Sequence, residues 1–113
     1  MDIGKRGEAI AKTFLEKKGY LIWEENFRTR YGEIDLIAQD GEEIVFIEVK
    51  TRGSLSHGLP CESVNKKKQK KIKRVANYYL LTTGNLQHSC RMDVIEILIL
   101  DGKIFLNQLQ HAF

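Results

Sequence analysis

The 113-residue sequence predicts an α/β domain in the order α-β-β-β-α-β-β, with a mixed central sheet flanked by helices. Three observations carry that expectation. Two stretches, one near the N-terminus and one past the middle, repeat apolar residues at helical spacing. The run Ile44–Lys50 (IVFIEVK) opens with six residues of which five are apolar, which predicts a central strand covered on both faces. Two Asp-Gly steps, Asp40-Gly41 and Asp101-Gly102, separate β-prone runs and mark hairpins.

The first helix is expected from about Lys5 to Lys18. Ala11, Leu15 and Lys18 fall on one stripe, with Ile10 and Phe14 beside it, and Gly19 supplies a stop. Tyr20–Asn26 reads as the first strand, and Arg28, Arg30 and Gly32 mark the turn after it. Glu33–Ala38 is the second strand and Ile44–Lys50 the third. Residues 53–61 (GSLSHGLPC) bring Gly, Ser and Pro together and predict a loop. The second helix runs from about Lys66 to Thr82, with Asn65 as N-cap, Gly84 past its end, and Ile72, Val75, Ala76 and Tyr79 as its buried stripe. Arg91–Leu100 is a long fourth strand, and Ile104–Leu106 begins a fifth.

Composition fits one domain able to bury its own core without disulfide or metal staples. Apolar residues make up 42% and charged residues 29%. The net charge of +3 is unevenly spread. Residues 1–60 carry nine Lys/Arg against eleven Asp/Glu, and residues 61–113 carry nine against four. An acidic half beside a basic half fits a metal site next to an anion-binding surface; from charge alone, chance plus one solvated helix face is the favoured reading. Cys61 and Cys90 have no metal-type spacing and read as free thiols in a reducing compartment. The N-terminus has no apolar leader segment, and no run reaches membrane-span length, so a soluble cytoplasmic protein is expected.

The chemistry concentrates in two adjacent strands. Side chains alternate along a strand, so Glu48 and Lys50 share a face, as do Glu33, Asp35 and Ile37. A two-residue turn at Asp40-Gly41 sets Asp35 opposite Phe46 and diagonal to Glu48. Two carboxylates so close repel, and burying one without a partner costs several kcal/mol. Lys50 offsets one charge, and a divalent cation offsets the rest. Hard oxygen ligands of this kind suit Mg²⁺ or Mn²⁺. Glu8 leads the buried stripe of the first helix. It is either a third carboxylate at the site, direct or through water, or an acid favoured near a helix N-terminus. A Glu-x-Lys alone is weak, since a strand-end salt bridge has the same signature. Asp35 in the preceding hairpin strand shifts the balance toward a metal and phosphate site.

These segments also carry a resemblance. An acid on one strand followed by (D/E)-x-K on the next resembles the restriction-endonuclease-like superfamily. More closely, GKRGEAIAKTFLEKKGY, NFRTRYGEIDLIAQDG, VFIEVKTR, KKKQKKIKRVANYYL, RMDVIEI and QHAF together resemble the YraN-like family of bacterial proteins over essentially the whole chain. The resemblance implies a restriction-endonuclease-like core. It implies metal ligation by Asp35, Glu48 and the Val49 carbonyl, with Lys50 as the active-site lysine. Glu8 is similar to the helix acid of archaeal Holliday-junction resolvases, and the same analogy allows a homodimer. Fold does not fix function, and the family brings no substrate with it.

The second helix opens with seven Lys/Arg in the nine positions 66–74. Tracing the buried stripe back from Ile72 puts Lys68 and Gln69 on the sheet side, facing the cleft. Lys66, Lys67, Lys70, Lys71, Lys73 and Arg74 spread over the flanks and outer surface. Such a row contacts phosphates without sequence choice, or is simply a solvated face. Arg28, Arg30 and Arg52 flank the site and are further phosphate contacts or surface ion pairs. Arg91 and Asp93 read as a structural pair. His57, His88 and His111 form no ligand set, and Trp23, Tyr78 and Tyr79 read as core or base-stacking residues. Two functions follow, a Mg²⁺- or Mn²⁺-dependent nuclease acting on DNA before RNA, and a non-catalytic nucleic-acid-binding module using the lysine helix. A protein adaptor with an acidic partner is a third reading that nothing in the sequence selects.

Overall fold

The computed structural model describes residues 2–53 and 64–113. His57, Cys61 and nearly all of the expected 53–61 loop lie outside them. The elements follow the expected order: α1 (Ile3–Lys17), β1 (Leu21–Thr29), β2 (Gly32–Asp40), β3 (Glu43–Arg52), α2 (Lys66–Thr82), β4 (Cys90–Leu100) and β5 (Lys103–Leu109). They form one five-stranded sheet in the order β1-β2-β3-β4-β5. Every neighbouring pair is antiparallel except β3–β4, which runs parallel with α2 in the crossover. This mixed sheet with helices on its faces is the predicted α/β class.

The β3 strand lies at the centre, and Ile44 to Val49 are buried without interruption. Alternation then divides the core in two. Val45, Ile47 and Val49 join Ala11, Leu15, Leu36 and Ile95 on the α1 side. Ile44 and Phe46 join Ile72, Val75, Ala76 and Tyr79 on the α2 side. The predicted stripe of α2 is therefore the observed one, extended by Leu80. Asn65 caps α2 as expected, its Oδ1 accepting from the Lys68 N–H at 2.9 Å.

In α1 two expectations change. The helix starts at Ile3, because Asp2 Oδ1 accepts from the Lys5 N–H at 2.8 Å and satisfies an otherwise orphaned donor. Its buried stripe is Gly7, Ala11 and Leu15, not Ala11, Leu15 and Lys18. Lys18 is the exposed C-cap, where the chain leaves the helix through Gly19 at φ +93°.

The turns also differ in detail. Arg30 and Tyr31 form the β1–β2 turn, whereas Arg28 belongs to β1 and Gly32 opens β2. Asp101-Gly102 is the expected loop, with both residues at positive φ. The β2–β3 loop is Gly41-Glu42 rather than Asp40-Gly41, since Asp40 pairs with Glu43. Gly41 at φ +61° takes the first central position, where a type II′ loop needs a glycine. This moves the register by two residues. Faces are preserved, but Ile37 rather than Asp35 lies opposite Phe46.

Candidate metal and phosphate site

The site lies where the sheet forks. β2 and β3 pair from Asp40↔Glu43 to Leu36↔Ile47 and no further, although both strands continue. Beyond that point β2 stays with β1 as far as Gly32, and β3 stays with β4 as far as Arg52. Asp35 and Glu48 are the first residues past the last pair, one on each arm. A carboxylate completes what the ladder leaves open: Asp35 Oδ2 accepts from the Val49 backbone N–H at 2.7 Å.

The local backbone explains how Asp35 reaches this position. Ile34 and Ile37 both pack on the α2 side, while Leu36 and Ala38 pack on the α1 side. Strict alternation therefore slips around Asp35. Across from it on β1, the pairs Glu25↔Leu36 and Phe27↔Ile34 skip Asn26, which sits at φ +52°. Asn tolerates this left-handed conformation better than most residues. The irregularity aims Asp35 into the fork.

Four charged side chains meet there. Asp35 and Glu48 are 7% and 6% exposed. Glu48 Oε1 lies 3.5 Å from Lys50 Nζ and 2.9 Å from Lys68 Nζ. The expected same-face pairing of Glu48 with Lys50 and the sheet-side position of Lys68 are both present. Burial pushes the Asp35 carboxyl up to about 7, helped by the nearby Glu48 charge and opposed by the Val49 N–H. Lys50 is pulled below the usual lysine range by burial and by contact with Lys68, against the pull of Glu48. Burial also works against the charge on Lys68, but contacts with Lys50 and Glu48 carry it above the ordinary value.

Glu8 stands at the rim. It lies past the first turn of α1, which holds no acid, so stabilisation of the helix N-terminus does not account for it. Burial raises its carboxyl, a hydrogen bond with Asn26 lowers it, and the Glu33 and Glu48 charges raise it further. Beside it, Gly7 lets α1 press onto β3. A Cβ built on Gly7 would stand 1.8 Å from Thr51 Oγ1. Asn26 and Gly7 are thus the positioning residues that sequence reading missed. An Asn within a β-prone run was the available signal for the first.

The donor chemistry fits a small hard cation in kind. Among the described residues it offers two buried carboxylates and strand backbone oxygens, with no thiolate or imidazole. In number it is sparse. Among the described residues no three His, Cys, Asp or Glu side chains gather closely enough to hold one ion.

The other predicted residues fall into three groups. Lys66, Lys67, Lys70, Lys71, Lys73 and Arg74 are exposed along α2. Gln69 is half-buried but donates to the Val64 carbonyl at 3.3 Å, so its amide serves the start of α2. Arg28 pairs across the hairpin with Glu33 at 3.0 Å, Arg30 donates to the Tyr31 hydroxyl at 2.8 Å, and Arg52, at the end of β3, holds its Nε buried.

A forked mixed sheet between two helices, with an acid on one arm and Glu-x-Lys on the other, defines the restriction-endonuclease-like class. Within it, residues 7–97 match the model of Uncharacterised protein family UPF0102, and the chain belongs to that family. It is 47% identical over 113 residues to a UPF0102 protein of Alkaliphilus oremlandii, covering 98% of this chain and 97% of that one. It is 50% identical over 97 residues to one of Alkaliphilus metalliredigens, covering 86% and 85%. It is 53% identical over 96 residues to one of Chlorobium limicola, covering 85% and 74%. No helix among the described residues is long and apolar enough to cross a membrane.

Proposed function

We propose that the protein is a divalent-metal-dependent nuclease that hydrolyses phosphodiester bonds, in DNA before RNA, in the cytoplasm. The observation that carries this reading is the pair of buried carboxyls at the fork, one raised to about 7, beside a lysine lowered from its ordinary range. Charged groups arranged against their own ionisation are costly unless a ligand relieves them, and such groups cluster at functional sites.

Asp35, Glu48 and the Val49 carbonyl would hold a Mg²⁺ or Mn²⁺ ion, with Glu8 contributing through water. The bound ion would polarise a phosphoryl oxygen and acidify water. Lys50 would orient the attacking water and, in its neutral form, accept its proton. Lys68 holds Glu48 in place. The exposed lysines of α2, with Arg74 and the arginines Arg28, Arg30 and Arg52, contact backbone phosphates. A homodimer would enlarge the limited grip of so small a domain on a branched duplex.

The test is cleavage of a panel of single-stranded, duplex and branched DNA and RNA in Mg²⁺ or Mn²⁺. Wild-type protein is expected to cut, and folded Lys50→Ala and Glu48→Ala proteins to lose activity by at least about a hundredfold. If wild type cuts nothing on the panel, catalysis is out.

The two lysines already on Glu48 favour a second reading, a nucleic-acid-binding module whose acids are structural. Calorimetric titration of Mn²⁺, with Asp35→Ala as control, separates the two. The module predicts no specific Mn²⁺ binding. It also predicts salt-dependent DNA binding that disappears when Lys66, Lys67, Lys70 and Lys71 are reversed in charge.

A further inference from the structure

A second cluster lies outside the fork, where the β1–β2 turn meets the outer face of α2. Tyr31 is its centre. The Arg74 guanidinium stacks on the ring, 3.9 Å from its centroid, and Arg30 lies 5.0 Å from the same centroid. Arg30 also donates to the Tyr31 hydroxyl at 2.8 Å. Tyr78, 42% exposed, meets Tyr31 edge-on at 6.3 Å. A surface pocket of about 450 Å³ opens between the turn, Phe27 and Tyr78.

Two features mark this cluster as more than surface packing. First, among the described residues neither Arg30 nor Arg74 pairs with a carboxylate, whereas Arg28 pairs with Glu33 and Arg91 with three acids. Both guanidiniums lie against an aromatic ring rather than a carboxylate of the described residues. Second, the Tyr31 oxygen accepts from Arg30, so its own O–H is left to donate. Two cations and one hydroxyl donor thus gather around a single ring, and an exposed aromatic ring stands beside them.

The cluster is also connected to the fork. Lys66, Lys70, Arg74 and Tyr78 succeed one another at four-residue spacing along α2, forming one exposed row. Tyr31, just before β2, is four residues from Asp35, about 13 Å if the chain is extended.

We propose that this cluster is a subsite for an unpaired nucleotide, with the phosphate taken by Arg30, Arg74 and the Tyr31 hydroxyl and the base stacked on Tyr78. A base inside a duplex has no free face to stack, so the subsite selects strands that are single or splayed next to a duplex. The proposal rests on the nucleic-acid reading of the fork but not on its catalysis.

The experiment is fluorescence anisotropy in EDTA with three DNA probes: a single strand, a blunt hairpin duplex, and the same duplex with a splayed end. Wild type is expected to bind the splayed probe at least about tenfold more tightly than the blunt one. Tyr78→Ala should remove most of that preference and leave blunt-duplex binding unchanged. Tyr31→Phe, which keeps the ring and removes the hydroxyl, should weaken both single-strand and splayed binding about threefold. Arg30→Ala/Arg74→Ala should weaken them further, and thermal melting of each variant confirms folding. Inorganic phosphate at millimolar concentration serves as competitor and should displace the single strand weakly.

Equal wild-type affinity for splayed and blunt probes overturns the proposal, as does a Tyr78→Ala protein that keeps the preference. So does a cluster that binds inorganic phosphate while none of its variants changes DNA affinity. Because metal is absent throughout, failure of cleavage elsewhere leaves this result standing, and failure here leaves cleavage untouched.

Discussion

The molecule buries two charged clusters, and they are built on opposite principles. On the α1 side, Arg91 and Asp93 sit beside Val45 and Ile47 in the parallel ladder. Asp93 is 0% exposed. The Arg91 guanidinium spends every donor: Nε on Asp93 at 3.0 Å, Nη1 on Asp40 at 2.9 Å and Glu43 at 3.0 Å, and Nη2 on the Tyr20 hydroxyl at 2.6 Å and on Asp93 at 3.2 Å. Gln108 and the His111 N–H complete the coordination of Asp93. Although burial opposes the Arg91 charge, its acids carry it above even the ordinary arginine range. At the fork the outcome is reversed, with an acid raised and a base lowered. A cluster built for stability satisfies its charges from within. The fork instead holds an acid and a base against their own ionisation.

Arg91→Ala should break this comparison most severely. It strands Asp93 and removes the tie between β4, β3 and Tyr20, so denaturant unfolding should show a loss of about 3–5 kcal/mol.

Asp35→Asn should have the opposite sign. The folded Asp35 titrates near 7 against an ordinary 3.8, so the folded state holds the proton more tightly. That contribution to stability is fully present below about 3.8 and lost as pH rises through about 7. At pH 8 the substitution should therefore stabilise the protein by about 2–4 kcal/mol, at roughly 1.4 kcal/mol per pH unit. At pH 4 the gain should vanish. Thermal melts across this range measure both ends, and a flat difference between the two proteins would remove the contrast between the clusters.

Gly7→Ala is a smaller probe of the same fork. A methyl group against Thr51 should cost about 1–3 kcal/mol by overpacking and displace Glu8, while the Arg91 cluster stays intact. Nuclear magnetic resonance shifts confined to the fork and α1 would sharpen the distinction; shifts at Arg91 would blur it.

Much of this was legible in the sequence for physical reasons. The apolar density of β3 announces a central strand, and alternation puts Glu48 and Lys50 together whatever the register. Helical phase carries Lys68 to the sheet side from Ile72. What could not be read depends on spatial partners or on single backbone angles. An Asp-Gly step permits the glycine at either central position, which moved the β2–β3 register by two while preserving the faces. The slip at Asp35, the left-handed Asn26 opposite it and the close approach at Gly7 have no periodic signature. Arg91 and Asp93 were expected to pair, but Asp40, Glu43, Tyr20 and Gln108 come from elsewhere in the chain and carry no mark of that role.

The bond from the Val49 N–H to Asp35 makes one backbone amide the readout of the whole fork. An ionised acceptor deshields that proton more strongly than a protonated one. The Val49 amide resonance is therefore an internal titration indicator that reports the charge state of Asp35 without any label. Its movement with pH should centre near 7, and its movement with added Mg²⁺ at fixed pH would register the displacement of a proton by a cation, at an atom that takes part in neither.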